Sequence, residues 1–510
     1  MPATSGPKPD LPGVPPLIDP GFNNYPANPR KSSSAPPGKG GDVTYLENAV
    51  YPPANPLDSN PVWKEINKQL NANLKINFIP PADYTTRLGT LMAGNDLPDM
   101  LVLPQGLGTV PNLPQFLESK AADLAPFLAG DRISDYPNLA FMPQYSWKNS
   151  GAVLNGHVYL LPIQQYRASA IMFVNGDVWD KEIGPNYAVK DAEDFRRILQ
   201  LLTKPQAGQW GISATSGGRT PYQYMLNGLL QSFGAPNGWT LEGGKLIRDR
   251  ETEAFKSAVG YVRDLVAAGV FHPNTPTYSI QSARNDFLGG KFMVFQDGFG
   301  GAWTDLWLRG TQQPIPVNVR YVPPFPASTS TKPVHHMNAG FLLANAFKKA
   351  PADRIQQLLQ ICNWFAAPFG SQEDLLLQYG LPDIDYKMDA NGNPVQTSRG
   401  PADSIYMGTQ FISRHPWTLY YPGLPDFAKV TQGAERVLLG MGIEDVTYGY
   451  YSQTFLTKGR PTEQAFADGV NEILAGHRPL TDYDQLVKDW QSNGGEQMRK
   501  EYLELMAAPS

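Results

Sequence analysis

Two neighbouring carboxylate pairs, Asp297 with Asp305 and Glu373 with Asp374, are the residues whose types and spacing could support general acid–base chemistry. Cleaving a glycosidic bond needs no more than two such groups. Other reactive constellations lack parts. There is no G-x-x-x-x-G-K-S/T loop, no H-E-x-x-H and no G-x-S-x-G elbow, and Gly298-Phe299-Gly300 lacks the third glycine of a dinucleotide fingerprint. His335-His336 cannot both face one site from a strand, because neighbours point to opposite sides. Asp389-Ala390-Asn391-Gly392-Asn393 resembles a calcium loop, but its glycine comes one place early and the closing Glu is absent, so a hairpin turn explains it better. Cys362 sits in the apolar run Ile361 to Phe365 and reads as a buried small hydrophobe in a core helix. Neither a metal nor a cofactor is expected.

The elements that would position any site belong to a globular chain. Its 510 residues exceed what one core usually serves, so two lobes of roughly 200 residues or more are expected. With 41% hydrophobic and 17% charged residues, the surface is polar but weakly charged. The formal charge of −5 and the lack of a Lys/Arg cluster leave no track for nucleic acid. No run of about 18 apolar residues exists to span a membrane. Residues 1–41 contain eleven prolines and little apolar periodicity, and they read as a flexible leash holding a domain away from an anchor.

From Asp42 strands and helices alternate. Asp42 to Glu47 reads as a strand. Asn60-Pro61 then caps a helix whose apolar face is Val62, Trp63, Ile66 and Leu70. Lys75 to Ile79, a helix carrying Tyr84, Leu88, Leu91 and Met92, and the apolar strand Asp99 to Leu103 complete βαβαβ, the signature of a parallel sheet. Ligands collect beyond the carboxyl ends of such strands, which points to Asn48, Tyr51 and Gln105. Asn155-Gly156 marks a hairpin that puts His157 on a strand. A second α/β set follows, with helices from Asp191 and from Thr252, the latter stopped by Gly269 and Pro273.

At this point the chain resembles the large extracellular solute-binding proteins of carbohydrate ABC importers, distantly similar to the maltose-binding protein, from about residue 42 to the C-terminus. The likeness lies in the order of segments: Asn95-Asp96-Leu97-Pro98-Asp99-Met100; Asn155 to Pro162; Gly243-Gly244-Lys245 through Val270-Phe271-His272-Pro273; Asn285 to Met293; and Gln296 through Trp303. Tyr379-Gly380, Asp389 to Asn393, and Asp482-Tyr483-Asp484 through Trp490 and Gly494-Gly495 extend it. The resemblance implies an α/β fold of the periplasmic-binding-protein-like type II, two α/β lobes joined by a multi-crossing hinge. Lobe 1 would comprise 42–165 plus 322–382, and lobe 2 would comprise 166–321 plus 383–510. It implies a monomer that captures an oligosaccharide by hinge closure without turning it over, and that docks on membrane permease subunits. It also implies a cell-surface lipoprotein or periplasmic location, with a lipid anchor on a segment preceding this sequence. A hydrolase or lyase using the paired carboxylates, and a binding protein for a peptide or other solute, are the alternatives.

A pyranose offers hydroxyls at its edge and C–H groups on its face, so a site for it needs flat rings and convergent polar groups. Trp303, closing a Gly-rich loop, matches a position from which a tryptophan of the maltose-binding protein stacks on sugar, with Asp297 and Phe299 in the same loop. Arg219 and Tyr222 lie in a segment resembling one that supplies a stacking tyrosine. Tyr166 and Arg167 stand at the expected first crossing, where they would line the cleft or brace the hinge. Trp239, in a Gly-rich turn, and Trp417, in a proline-marked loop, are further candidate platforms or lobe packing.

Overall fold

A computed structural model describes residues 6–104, 110, 112–214 and 222–508. Nine strands form its two principal sheets: β1 (Asp42–Asn48), β2 (Asn73–Ile79), β3 (Met100–Leu103), β4 (Leu160–Gln164), β5 (Ala170–Asn175), β6 (Trp210–Ala214), β7 (Phe292–Gly298), β8 (Val319–Val322) and β9 (Phe341–Phe347). The first sheet runs β2-β1-β3-β9-β4 and the second β8-β5-β7-β6. Parallel pairing of β1 with both β2 and β3 realises the βαβαβ unit. Its crossovers are helices α1 (Pro61–Leu70) and α2 (Pro81–Ala93).

Local rules set these elements. The Asn60 side chain accepts from the Trp63 N–H at 2.9 Å, Pro61 occupies the first helical position, and Val62, Trp63, Ile66 and Leu70 are buried as the periodicity requires. Asn155 and Gly156 both take positive φ in a two-residue hairpin, and His157 on its second strand meets Asp123 at 2.7 Å. Asp389 to Asn393 closes the hairpin between Tyr386–Met388 and Pro394–Gln396.

The sheets organise separate cores. Lobe 1 buries residues from Val43 to Leu161 and again from Phe341 to Ile412. Lobe 2 buries Ile171 through Phe325 on both faces of its sheet, together with Leu424 through Tyr502. The expected lobe boundaries therefore need correcting. β8 pairs with β5 and draws Val322 and Phe325 into lobe 2, so the second crossing falls near residues 337–340 rather than at 322. The hairpin after Gly380 stays with lobe 1, as Met407 and Ile412 do, so the third crossing follows Ile412 rather than residue 382.

Three crossings make the hinge and are bonded to one another. The Asn338 N–H donates to the Arg167 carbonyl at 2.8 Å, the Gln165 N–H donates to the Gly340 carbonyl at 3.2 Å, and the Trp417 N–H reaches Gln164 Oε1 at 2.7 Å. Gly340 has φ +81°, and a Cβ there would lie 2.3 Å from the Tyr145 ring, so no other residue fits without displacement.

The leash expected over residues 1–41 is also corrected, for its described part. Phe22 and Tyr25 are buried, and Tyr25 donates to Asp374 Oδ2 at 2.9 Å. The segment is a strap. Its first described residues lie on lobe 1, where Gly6 faces Pro368 and Pro7 faces Gly370; it then crosses to helix α3 (Phe427–Gly440) of lobe 2, where the Gln432 amide reaches the Asp19 carbonyl, and pairs with Leu419. It ends on lobe 1, where Ser32 donates to Glu373 Oε2 at 2.9 Å. Proline suits such a path, because an extended segment tied mainly by partner side chains needs few of its own amides.

Candidate functional site

A cavity of about 980 Å³ opens between the lobes. Lobe 1 contributes Thr85 of α2 and Pro104 beyond β3, the hinge contributes Gln165, Tyr166, Ser169 and Asn338, and lobe 2 supplies the rest. The carboxyl ends of β3 and β7 and the starts of two crossings converge here, as strand-end placement requires.

Tyr166 and Phe299 are the predicted residues that border this cleft, with ring centroids 6.0 Å apart, but the Phe299 side chain is 1% exposed and packs with Trp303 in the lobe 2 core. Tyr166 also braces the hinge: its ring lies against Gly300 in the first turn of the helix Phe299–Thr311 and meets Trp417 edge-on. A Cβ on Gly300 would collide with the Tyr166 ring at 1.9 Å. Burial raises the Tyr166 pKa, so the phenol stays neutral.

The other expectations resolve differently. Trp303 is the fifth residue after β7 ends, inside the helix, where it is 3% exposed among Phe173, Phe299, Trp307 and Tyr321 and borders a separate cavity of about 460 Å³. The glycines that suggested a loop are the first turn of that helix. Trp239 is 4% exposed, packed by Trp490 and Tyr502 and covered by the Arg248 and Arg499 guanidinia, because its turn folds onto the C-terminal helices. Asp297 is a strand residue held by Arg284 Nε at 2.7 Å rather than a ligand contact. Arg167 is a brace, stacked 4.4 Å from Tyr145 and paired with Glu444.

Tyr51 stacks between Tyr406 and Phe411 and accepts from Gln410, inside lobe 1. Asn48 ends β1 with its Oδ1 buried and without a partner among the described residues, outside the cleft lining. Tyr222 packs edge-on to Phe271, while Tyr224, two residues on, lines the cleft. Trp417 meets Tyr166 at 5.3 Å from behind and carries the Arg414 guanidinium on its ring. Gln105 and Arg219 lie outside the described residues.

The carboxylate pairs are occupied by structural work. Asp297 and Asp305 both bind Arg284, and Glu373 and Asp374 hold the N-terminal strap.

Sequence reasoning missed the charged wall of the cleft. Arg248, Asp249 and Arg250 follow a hairpin, and Asp445 and Glu463 approach from the C-terminal region. Glu463 lies 2.5 Å from Arg250 and 3.6 Å from Arg248, and Asp249 lies 3.2 Å from Arg248. Burial opposes the Arg248 charge, yet Asp249, Glu463 and Asp445 hold its pKa above the ordinary value. Burial likewise opposes ionisation of Glu463, and Arg250 and Arg248 overcome it. The alternation Arg248-Asp249-Arg250-Glu251 was the available signal, but its partners lie some 200 residues further along the chain. His336, beside this wall, has its pKa lowered by burial and bonds the Ala235 carbonyl at 2.8 Å. His335 turns the opposite way, to the Ser169 N–H at 3.0 Å.

Two α/β lobes on a three-stranded hinge, with a solvent-reached cavity walled by both, define a type II periplasmic-binding fold, a receptor built to close on a solute. Residues 62–393 match the family model of bacterial extracellular solute-binding proteins, and the chain belongs to that family. Lipoprotein LipO of Bacillus subtilis strain 168 is 22% identical over 487 residues, covering 91% of this chain and 92% of LipO. The polygalacturonan/rhamnogalacturonan-binding protein YtcQ of the same organism is 21% identical, covering 86% and 87%. Among solved structures, an HMO-binding, ABC-transporter-associated solute-binding protein from Bifidobacterium longum infantis superposes with TM-score 0.64 at 14% identity, covering 92% of this chain and 98% of that one.

Proposed function

We propose that this protein captures an oligosaccharide in the interlobe cleft, closes on it by hinge motion and delivers it unaltered to the permease subunits of an ABC importer. The observation that carries this reading is the mixed lining. Rings of Tyr166 and Tyr224 stand beside amides of Asn227 and Asn338, with groups from both lobes and the hinge. Gln165 adds a buried Oε1 with no partner among the described residues, an acceptor placed for a hydroxyl. A cavity of about 980 Å³ suits several sugar rings. The names of YtcQ and of the Bifidobacterium protein support the ligand class. The name of LipO supports attachment by a lipid, and in this reading the protein acts at the cell surface as a monomer. A ligand that touches both lobes only in the closed state shifts the population toward closure, and no chemical step is needed.

Calorimetry against an oligosaccharide panel, with product analysis of the same mixtures, tests the proposal. Saturable heat with unchanged sugar is expected. New reducing ends would replace capture with hydrolysis, and binding confined to peptides would replace the ligand class.

A further inference from the structure

Among the described residues, the charges lining the cleft are paired, with one exception. Three carboxylates, Asp249, Asp445 and Glu463, neutralise Arg248 and Arg250, which leaves no spare positive charge among the described residues of the inner cleft. Arg460 also lines the cleft, is exposed, and has no counter-ion or hydrogen-bonded side-chain partner among the described residues.

Its position is specific. Arg460 borders a second cavity, of about 400 Å³, on the face of lobe 1 between α2 and the helix Leu113–Lys120. The two cavities share Thr85, Pro104 and Arg460, so the guanidinium, carried by lobe 2, stands at the passage between them. The helix Arg460–Leu474 is entered through a π turn at Phe455–Gly459. Such a turn brings residues five apart onto one face, and Phe455 lines the cleft alongside Arg460. Beyond the passage, Leu88, Met92 and Phe116 floor the second cavity, and Asn112 and Gln115 edge it. That amphipathic pattern suits sugar rings as the cleft does.

Resting on the oligosaccharide reading above, we infer that the ligand is an acidic oligosaccharide long enough to run from the cleft into the lobe 1 groove, with the carboxylate of one uronic residue seated on Arg460 beside the Phe455 ring. Guanidinium binds carboxylate through two parallel hydrogen bonds, a geometry that a hydroxyl does not reproduce. The described residues of the inner cleft offer no unpaired cation, so a neutral residue fits there, where a second carboxylate would be desolvated without a counter-ion among them. The matching ligand therefore mixes uronic and neutral residues. Because Arg460 belongs to lobe 2 and borders a groove of lobe 1, a ligand held by both ties the lobes together, so it favours closure.

The test is calorimetric titration of the full chain with three probes: a hexasaccharide of alternating galacturonate and rhamnose, its carboxyl-reduced form, and maltohexaose. The acidic hexasaccharide is expected to bind at least tenfold more tightly than its reduced form, with an affinity that falls as salt rises. Arg460→Gln should bring the two to equal affinity, Arg460→Lys should recover part of the difference, and neither should move the melting temperature of this exposed position. Equal binding of acidic and reduced forms by the parent, or equal weakening of both by Arg460→Gln, would overturn the inference while leaving oligosaccharide capture intact. Saturable binding of maltohexaose alone would do the same. Absence of heat with every saccharide tried would overturn the capture reading and this inference with it.

Discussion

The backbone N–H of Asp19 donates to Glu435 Oε2 at 3.1 Å, across 416 positions of sequence. Their carboxyls interact with each other as well, and both are held away from water where the strap meets helix α3. Burial drives both pKa values upward; the charge of Asp19 lifts Glu435 further, while Arg414 draws Asp19 back down.

A pH dependence follows. A carboxyl whose folded pKa is raised binds its proton more tightly folded than unfolded. Its stabilisation is complete below the unfolded value near pH 4 and is lost as pH rises through the folded value, here toward neutral and beyond. Melting temperature should therefore fall between about pH 5 and pH 9. Glu435→Gln, which keeps an acceptor for the Asp19 N–H and offers its own donor to the Asp19 carboxyl, should flatten that slope. An unchanged slope in the variant would remove the pair as its source.

Trp303→Ala should act on stability and not on ligand recognition. The indole is 3% exposed and touches four aromatic rings, so truncation costs about 3 to 5 kcal/mol. Denaturant unfolding measures this, and ligand affinity of the folded fraction should match the parent. A large affinity loss with an unchanged unfolding midpoint would return Trp303 to the site.

Gly340→Ala tests the second crossing. The new Cβ would meet the Tyr145 ring at 2.3 Å and Arg167 Cδ at 2.8 Å, on a backbone with φ +81°. A penalty of about 1 to 3 kcal/mol is expected. Because the strain falls on the hinge, small-angle scattering should show a changed radius of gyration in the free protein and a smaller decrease on ligand addition. Identical scattering in parent and variant would place hinge motion elsewhere.

The fold was legible where local rules dominate. Asn60-Pro61, Asn155-Gly156, and the faces Val62/Ile66/Leu70 and Phe195/Ile198/Leu202 state their structure within a few residues, and the buried sets match. Of the candidate site residues, those that chain topology pins lie nearest the cleft: Tyr166 at the first crossing lines it, and Phe299 just past β7 borders it from the lobe 2 core. Trp303 and Trp239 misled because a tryptophan near glycines reads the same in a loop and in a tight helix start or turn. The Arg248–Glu463 wall and the Asp19–Glu435 contact depend on partners hundreds of residues away, and periodicity carries no such pairing.

His335 sets the acid limit of the hinge. Its Nε2 accepts from the Ser169 N–H at 3.0 Å in the first crossing, so the ring must be neutral, with the proton on Nδ1. That Nδ1 is buried and has no partner among the described residues, leaving a second positive N–H nothing to bind. Burial, with a smaller contribution from His336, lowers the His335 pKa to about 3. A histidine with a depressed folded pKa contributes stability that is present above the unfolded value near 6.5 and is lost as pH falls toward the folded one. Below about pH 6 this side chain should therefore cost roughly 1.4 kcal/mol per pH unit, opposite in sign to the Asp19–Glu435 pair. Replacing it with Gln, which can still accept from Ser169 but does not titrate, should lower stability at pH 7 and reduce the additional loss between pH 6 and pH 4. Amide exchange at Ser169 gives the local readout: protection should decline with acidification in the parent and hold steady in the variant. Equal loss of protection in both would mean that another group titrates at the hinge.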